Sequence, residues 1–148
     1  MRHLTFLAVA IVALGACSKN KTSYDTTASS GGIVATDSSA TALRVADVTV
    51  GRRVGADKKV TDATDTFAPK DEIYASVHTT GASTGKITAR WTFQDGQVVD
   101  ERSETINGKG DDYTEFHISK PSGWPAGKYT VHVLVNDRET QTKDFTVK

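Results

Sequence analysis

From Leu43 onward, apolar and polar residues alternate with a period of two, in short runs broken by Gly, Pro, Asn and Asp, and no run carries a helical period. The alternation predicts seven strands. The first, about 43–50, carries Leu43 and Val45 and then Ala46, Val48 and Val50, and this switch of parity predicts a bulge or a change of sheet. A polar stretch from Arg52 to Asp71 follows. The second strand, 72–79, turns Ile73, Ala75 and Val77 inward and Tyr74, Ser76 and His78 outward. The third, 86–94, has the clearest two-sided pattern, with Ile87, Ala89, Trp91 and Phe93 on one face and Lys86, Thr88, Arg90 and Thr92 on the other. Asp95-Gly96 then predicts a two-residue type I′ hairpin turn into a weaker fourth strand, 97–105. After the Asn107–Gly110 turn, the fifth strand, 112–119, buries Phe116 and Ile118. The sixth, 128–135, buries Tyr129, Val131, Val133 and Val135 and turns Thr130, His132 and Leu134 outward. Asn136-Asp137 reverses the chain into the seventh, 141–148, which buries Phe145 and Val147.

Seven short, regularly spaced strands in about 100 residues predict an all-β, antiparallel two-sheet sandwich in a single domain, 43–148. The segment Gly127-Lys128-Tyr129-Thr130-Val131 resembles the tyrosine corner of immunoglobulin-like domains. Val77 and Val131 fall where an antibody domain would carry its two cysteines, and Trp91 lies mid-strand between them. The resemblance implies an immunoglobulin-like β-sandwich with an apolar Val77/Trp91/Val131 centre in place of the disulfide. It implies no function, because that fold serves adhesins, chaperones, inhibitors and spacers alike.

The start of the chain follows other rules. Met1-Arg2-His3 precedes an apolar run, Leu4–Leu14, interrupted only by Thr5, and then come small residues, Gly15-Ala16. This is the layout of a secretory signal, residues 1–16. At about 1.5 Å per residue such a run is too short to cross a hydrocarbon core of about 30 Å. Leu14-Gly15-Ala16-Cys17 resembles the lipobox of bacterial lipoproteins. The resemblance implies cleavage before Cys17, which becomes the acylated first residue with its thiol as a site of lipid attachment and palmitate labelling as the signature, and it gives the chain's lone cysteine a use. In a Gram-negative cell, Ser18 after the Cys resembles the sorting pattern for the outer membrane, facing the periplasm.

Between Ser18 and Thr41, 11 of 24 residues are Ser or Thr, and only Tyr24, Ile33 and Val34 are sizeable apolar side chains. Residues 17–42 therefore read as an acylated Cys and a flexible tether with an unperturbed span of about 27 Å. Charge adds one exclusion: 18 Lys+Arg balance 18 Asp+Glu, so no basic face for nucleic acid is expected.

Four features carry candidate chemistry. Gly81-Ala82-Ser83-Thr84-Gly85 matches the GxSxG pattern of serine hydrolases, with His117 and His132 downstream as bases, but it joins two strands where a nucleophile elbow joins strand to helix. Turn chemistry explains the same residues. His78 and His117 face outward from the second and fifth strands, neighbours in an immunoglobulin-like sheet, and form a two-ligand metal candidate that His132, in the other sheet, does not complete. Asp57, Asp62, Asp65, Asp111 and Asp112 lack the periodicity of a calcium loop. Asp100, Glu101 and Glu104 suit the defence of an edge strand. Trp124, between Gly123 and Pro125, either plugs the end of the sandwich near Tyr129 or projects as an aromatic contact for a partner, and the compact flanks favour the plug.

No group of residues gathers a nucleophile, a base and oxyanion donors, so the sequence implies no enzyme and no cofactor. The expectation is a non-enzymatic module held at the membrane through the lipid on Cys17 and presenting its domain to an envelope protein. Two alternatives are an inhibitor or immunity protein that neutralises a toxin or protease, and, more remotely, a metal-binding lipoprotein.

Overall fold

The computed structural model describes residues 41–148; the signal, Cys17 and the tether up to residue 40 lie outside the described residues. Eight strands follow in order: β1 (Arg44–Gly51), β2 (Thr66–Phe67), β3 (Ile73–Thr80), β4 (Gly85–Phe93), β5 (Val98–Ile106), β6 (Asp112–Ile118), β7 (Gly127–Val135) and β8 (Arg138–Val147). They form two sheets, β1-β3-β6 and β2-β8-β7-β4-β5. The immunoglobulin-like sandwich expected from the sequence is present, with one strand more than seven.

The added strand is β2, which pairs parallel to β8 through Thr66 and Phe67, an exception to the antiparallel expectation. The polar stretch before it is a small hairpin, bridged at Gly51–Ala63 and Val54–Val60. The hairpin lies over the outer face of β3, where Ser76 donates to the Lys58 carbonyl at 2.7 Å. That cover explains why Ser76, which alternation turns outward, is only 3% exposed. The parity switch in β1 is a register shift between Val45 and Asp47.

Trp91, Val77 and Val131 are fully buried at the centre, as the resemblance implied. Phe145 links the aromatic core: it stacks on Tyr129 at 5.3 Å and meets Phe67 and Trp91 edge-on at 5.4 and 5.8 Å. The Tyr129 hydroxyl donates to the Pro125 carbonyl at 2.8 Å, the bond that defines a tyrosine corner. Burial raises the ionisation of this phenol above its ordinary range. Leu134 keeps its outward parity but is buried, because it sits on a central strand between Thr88 and Glu139 of the flanking rows.

The type I′ turn expected at Asp95-Gly96 is found instead at Asn136-Asp137. At Asp95-Gly96 only Gly96 has positive φ (83°), and its N–H donates to the Phe93 carbonyl at 2.8 Å. The loop is thus three residues, a type I turn followed by a left-handed glycine, and the ladder slips between Trp91 and Thr92. The type I′ signature, positive φ at both central residues, belongs to Asn136 (50°) and Asp137 (67°) between paired Val135 and Arg138.

The end of the sandwich that carries Phe67 is pinned by Asp71. Its carboxylate accepts the Ala68 N–H at 2.8 Å and the Arg52 Nε–H at 2.9 Å, and these two bonds hold it below the usual carboxylate range. A carboxylate with a depressed folded-state value stabilises above the unfolded value of about 3.9 and loses that contribution as pH falls through the folded value. Asp71→Asn is expected to cost about 1 kcal/mol near neutral pH, given the partly exposed arginine. The two proteins should converge in stability on acidification below the folded value, a comparison that urea titration over pH reads directly; a difference independent of pH would refute the ionic account.

Candidate functional site

The sandwich has two ends. At one, the chain joins β1 beside the β3–β4, β5–β6 and β7–β8 loops; at the other lie the β4–β5 hairpin, the β6–β7 loop and the segment leading into β3.

At the joining end the Gly81–Gly85 loop receives the incoming chain. The Thr41 carbonyl accepts three hydrogen bonds there, from the Ala82 N–H at 3.1 Å, the Ser83 N–H at 2.9 Å and the Ser83 hydroxyl at 2.6 Å. Gly110 N–H donates to the Gly81 carbonyl at 3.2 Å and ties in the β5–β6 loop. The loop joins strand to strand, so Ser83 lacks the helix that a nucleophile elbow places behind it. Its hydroxyl is spent on a backbone carbonyl, and the GxSxG match reads as a clamp on the chain leading out of the sandwich.

The outer face of β1-β3-β6 carries both candidate histidines, and β3 and β6 are neighbours as expected. Their register nonetheless separates them. His78 lies opposite Tyr113 and His117 opposite Tyr74, four residues apart along the strands, or about 13 Å. The two-ligand metal candidate is therefore corrected: each imidazole pairs with a tyrosine. His78 stacks on Tyr113 with centroids 4.5 Å apart and meets Asp111 at 3.2 Å. His117 sits 5.3 Å from the Tyr74 ring, and its Nδ1 lies 2.6 Å from Glu115. Tyr74 donates to Glu72 at 2.7 Å, a bond that raises its phenol above the ordinary range. Among the described residues no group of three or more His, Cys, Asp and Glu is placed to hold a metal ion. His132 lies in the other sheet, between Thr92 and Glu139. Alternation marked Tyr74 and His117 as outward, but only the register pairs them.

At the far end Trp124 is the plug and not the projecting contact. It is 6% exposed, its backbone N–H donates to the Pro69 carbonyl at 2.6 Å, and its ring meets Tyr129 edge-on at 6.2 Å. Lys120 covers the ring with its ammonium 5.7 Å from the centroid. Beside this end a polar depression of about 450 Å³ is lined by Asp65, Thr66, Gln94, Lys128, Thr130 and Asp144 among others, yet Thr130 already donates to Asp144 at 2.7 Å.

No protein family matches the sequence, and no curated protein is similar to it. Solved structures are similar in fold. An immunoglobulin-like protein from Pseudomonas aeruginosa is 15% identical with a TM-score of 0.50, over 74% of this chain and 99% of that one. A DNA-bound alkylpurine DNA glycosylase from Pseudomonas fluorescens is 14% identical with a TM-score of 0.47, over 72% of this chain and 30% of its own. A CARDB domain from Pyrococcus furiosus, in complex with two metal ions, is 16% identical with a TM-score of 0.39, over 69% and 88% of the two chains. At these identities the likeness to the first protein speaks for fold alone, and the residues and the likeness together establish an immunoglobulin-like β-sandwich.

Proposed function

We propose that the protein is a lipid-anchored module of the bacterial cell envelope, non-enzymatic, which holds an immunoglobulin-like domain off a membrane and presents it to a protein partner. The observation that carries this reading is the clamp on the Thr41 carbonyl by Ala82 and Ser83. It supports a fixed joining end, where three hydrogen bonds hold the chain just before β1 to one end of the sandwich. The Leu14-Gly15-Ala16-Cys17 sequence supplies the anchor in this reading, through a thioether lipid on Cys17. Attachment by more than one acyl chain is lasting, whereas one chain binds only marginally. In a Gram-negative cell the site would be the outer membrane, facing the periplasm. The inhibitor alternative would use a loop or an edge strand as its wedge, and of these the β6–β7 loop is folded down through Trp124.

Cys17→Ser is expected to abolish palmitate incorporation in growing cells and to move the protein from the membrane pellet to the soluble fraction. Labelling that persists in Cys17→Ser would overturn the anchor.

A further inference from the structure

A sandwich has four sheet edges, and three of those in this protein are guarded. The outer edge of β1 is covered by the hairpin at its C-terminal end, through Gly51–Ala63 and Thr64 N–H on the Val50 carbonyl, and carries a register shift between Val45 and Asp47. β8 is capped at its end by β2 and carries a register shift opposite Val133 and Leu134. β5 slips register at Trp91/Thr92, and its Asp100, Arg102 and Glu104 lie opposite Trp91, Ala89 and Ile87, so charged residues occupy the inward face of that edge. Covers, bulges and inward charges are the devices by which proteins keep edges from pairing.

Among the described residues the fourth edge, β6, has none of them. There it pairs with β3 alone, in unbroken register from Asp112 to Ile118, without proline, and its inward residues Thr114, Phe116 and Ile118 are uncharged and buried. We propose that β6 is a docking edge and that its occupant is β6 of a second copy of this chain, antiparallel about a two-fold axis at Phe116.

The side-chain pairing fixes the register and makes β6 complementary to itself. With Phe116 opposite its own copy, Glu115 faces His117 of the second copy and His117 faces Glu115, while Asp112 faces Lys120 just past the strand. Centring on Glu115 sets like carboxylates opposite each other, and centring on Thr114 sets Asp112 against Phe116; both are unfavourable cross-strand pairs. Centring on His117 pairs the imidazoles. A two-fold contact of this kind is self-complementary and closes at a dimer.

The register makes the test specific. Directly opposed Cβ atoms lie about 4.5–5.5 Å apart and diagonal ones about 7–8 Å, so only the opposed pair approaches disulfide reach. Full-length Glu115→Cys and His117→Cys chains carrying different tags are co-expressed and oxidised in cell extract, with the chain lacking both substitutions as the blank. The expected result is a mixed disulfide that is lost when either variant is expressed alone. No mixed disulfide above the blank, or equal disulfides within each single variant, would overturn the pairing. A second arm asks for rescue: Glu115→Lys and His117→Glu should each abolish the dimer seen by sedimentation of the full chain, and the double variant should restore it. A monomeric parent chain, including one that binds a foreign strand at β6, counts against the proposal.

Discussion

Phe67→Ala is expected to destabilise the domain by about 3–5 kcal/mol, the range for a buried aromatic truncated to alanine. Phe67 is 1% exposed, meets Phe145 edge-on at 5.4 Å and lies under the Arg52 guanidinium at 5.6 Å. Two losses follow from one substitution. The cavity opens beside Phe145, which also touches Trp91 and Tyr129, so the surrounding aromatic group loses contacts on one side. Strand β2 also loses its only core side chain, which leaves the parallel pairing to β8 and the Lys148 N–H on the Phe67 carbonyl with little to hold them. Domains of this size are stable by only about 5–15 kcal/mol, so the thermal midpoint should fall by more than about 10 °C. Val98→Ala, at a side chain 51% exposed, is the control and should leave the midpoint nearly unchanged. A drop in Phe67→Ala no larger than the control's would show that β2 is not integral to the core.

Phe67 also marks where sequence reading ran out. Alternation located the strands that bury several residues in a row, because each inward position repeats the evidence of the last. β4 and β7 show this, with Ile87, Ala89 and Trp91 and with Tyr129, Val131 and Val133 all buried. β2 has two residues and one inward side chain, so there is no period to detect, and a single Phe in a polar stretch reads as a loop residue. Turn types failed for a related reason: Asp-Gly serves both a type I′ turn and a type I turn with a glycine bulge, and the choice depends on where the ladder slips, here between Trp91 and Thr92. The tyrosine corner was legible because its hydrogen bond is local, spanning only Tyr129 to Pro125. The histidines were legible as outward-facing but not as separated, since facing is set by alternation and separation by the register of β3 on β6. The clamp at Thr41 had no sequence signal of its own, because its acceptor is a backbone carbonyl.

That clamp carries the other large effect, through Gly81. Gly81 adopts φ +100°, and a Cβ built there would lie 2.2 Å from the Ala42 carbonyl oxygen. Gly81→Ala therefore has two costs, a backbone held where L-residues are strained and a collision with the chain it clamps. Backbone strain of this kind costs about 1–3 kcal/mol. Gly96 separates the two costs, since its φ is +83° but nothing lies within 4 Å of the added Cβ. Gly96→Ala should show the strain alone, about 1 kcal/mol, and Gly81→Ala more, about 2–3 kcal/mol. The excess should also be local. Amide exchange at Ala82, Ser83 and Gly110, whose N–H groups bond within the clamp, should quicken in Gly81→Ala and stay unchanged in Gly96→Ala. Ser83→Ala removes one of the three bonds to Thr41 and should cost about 1 kcal/mol with a smaller change in exchange. Equal effects from Gly81→Ala and Gly96→Ala would mean that the incoming chain yields to the methyl group without loss, and the joining end would then not be rigidly held.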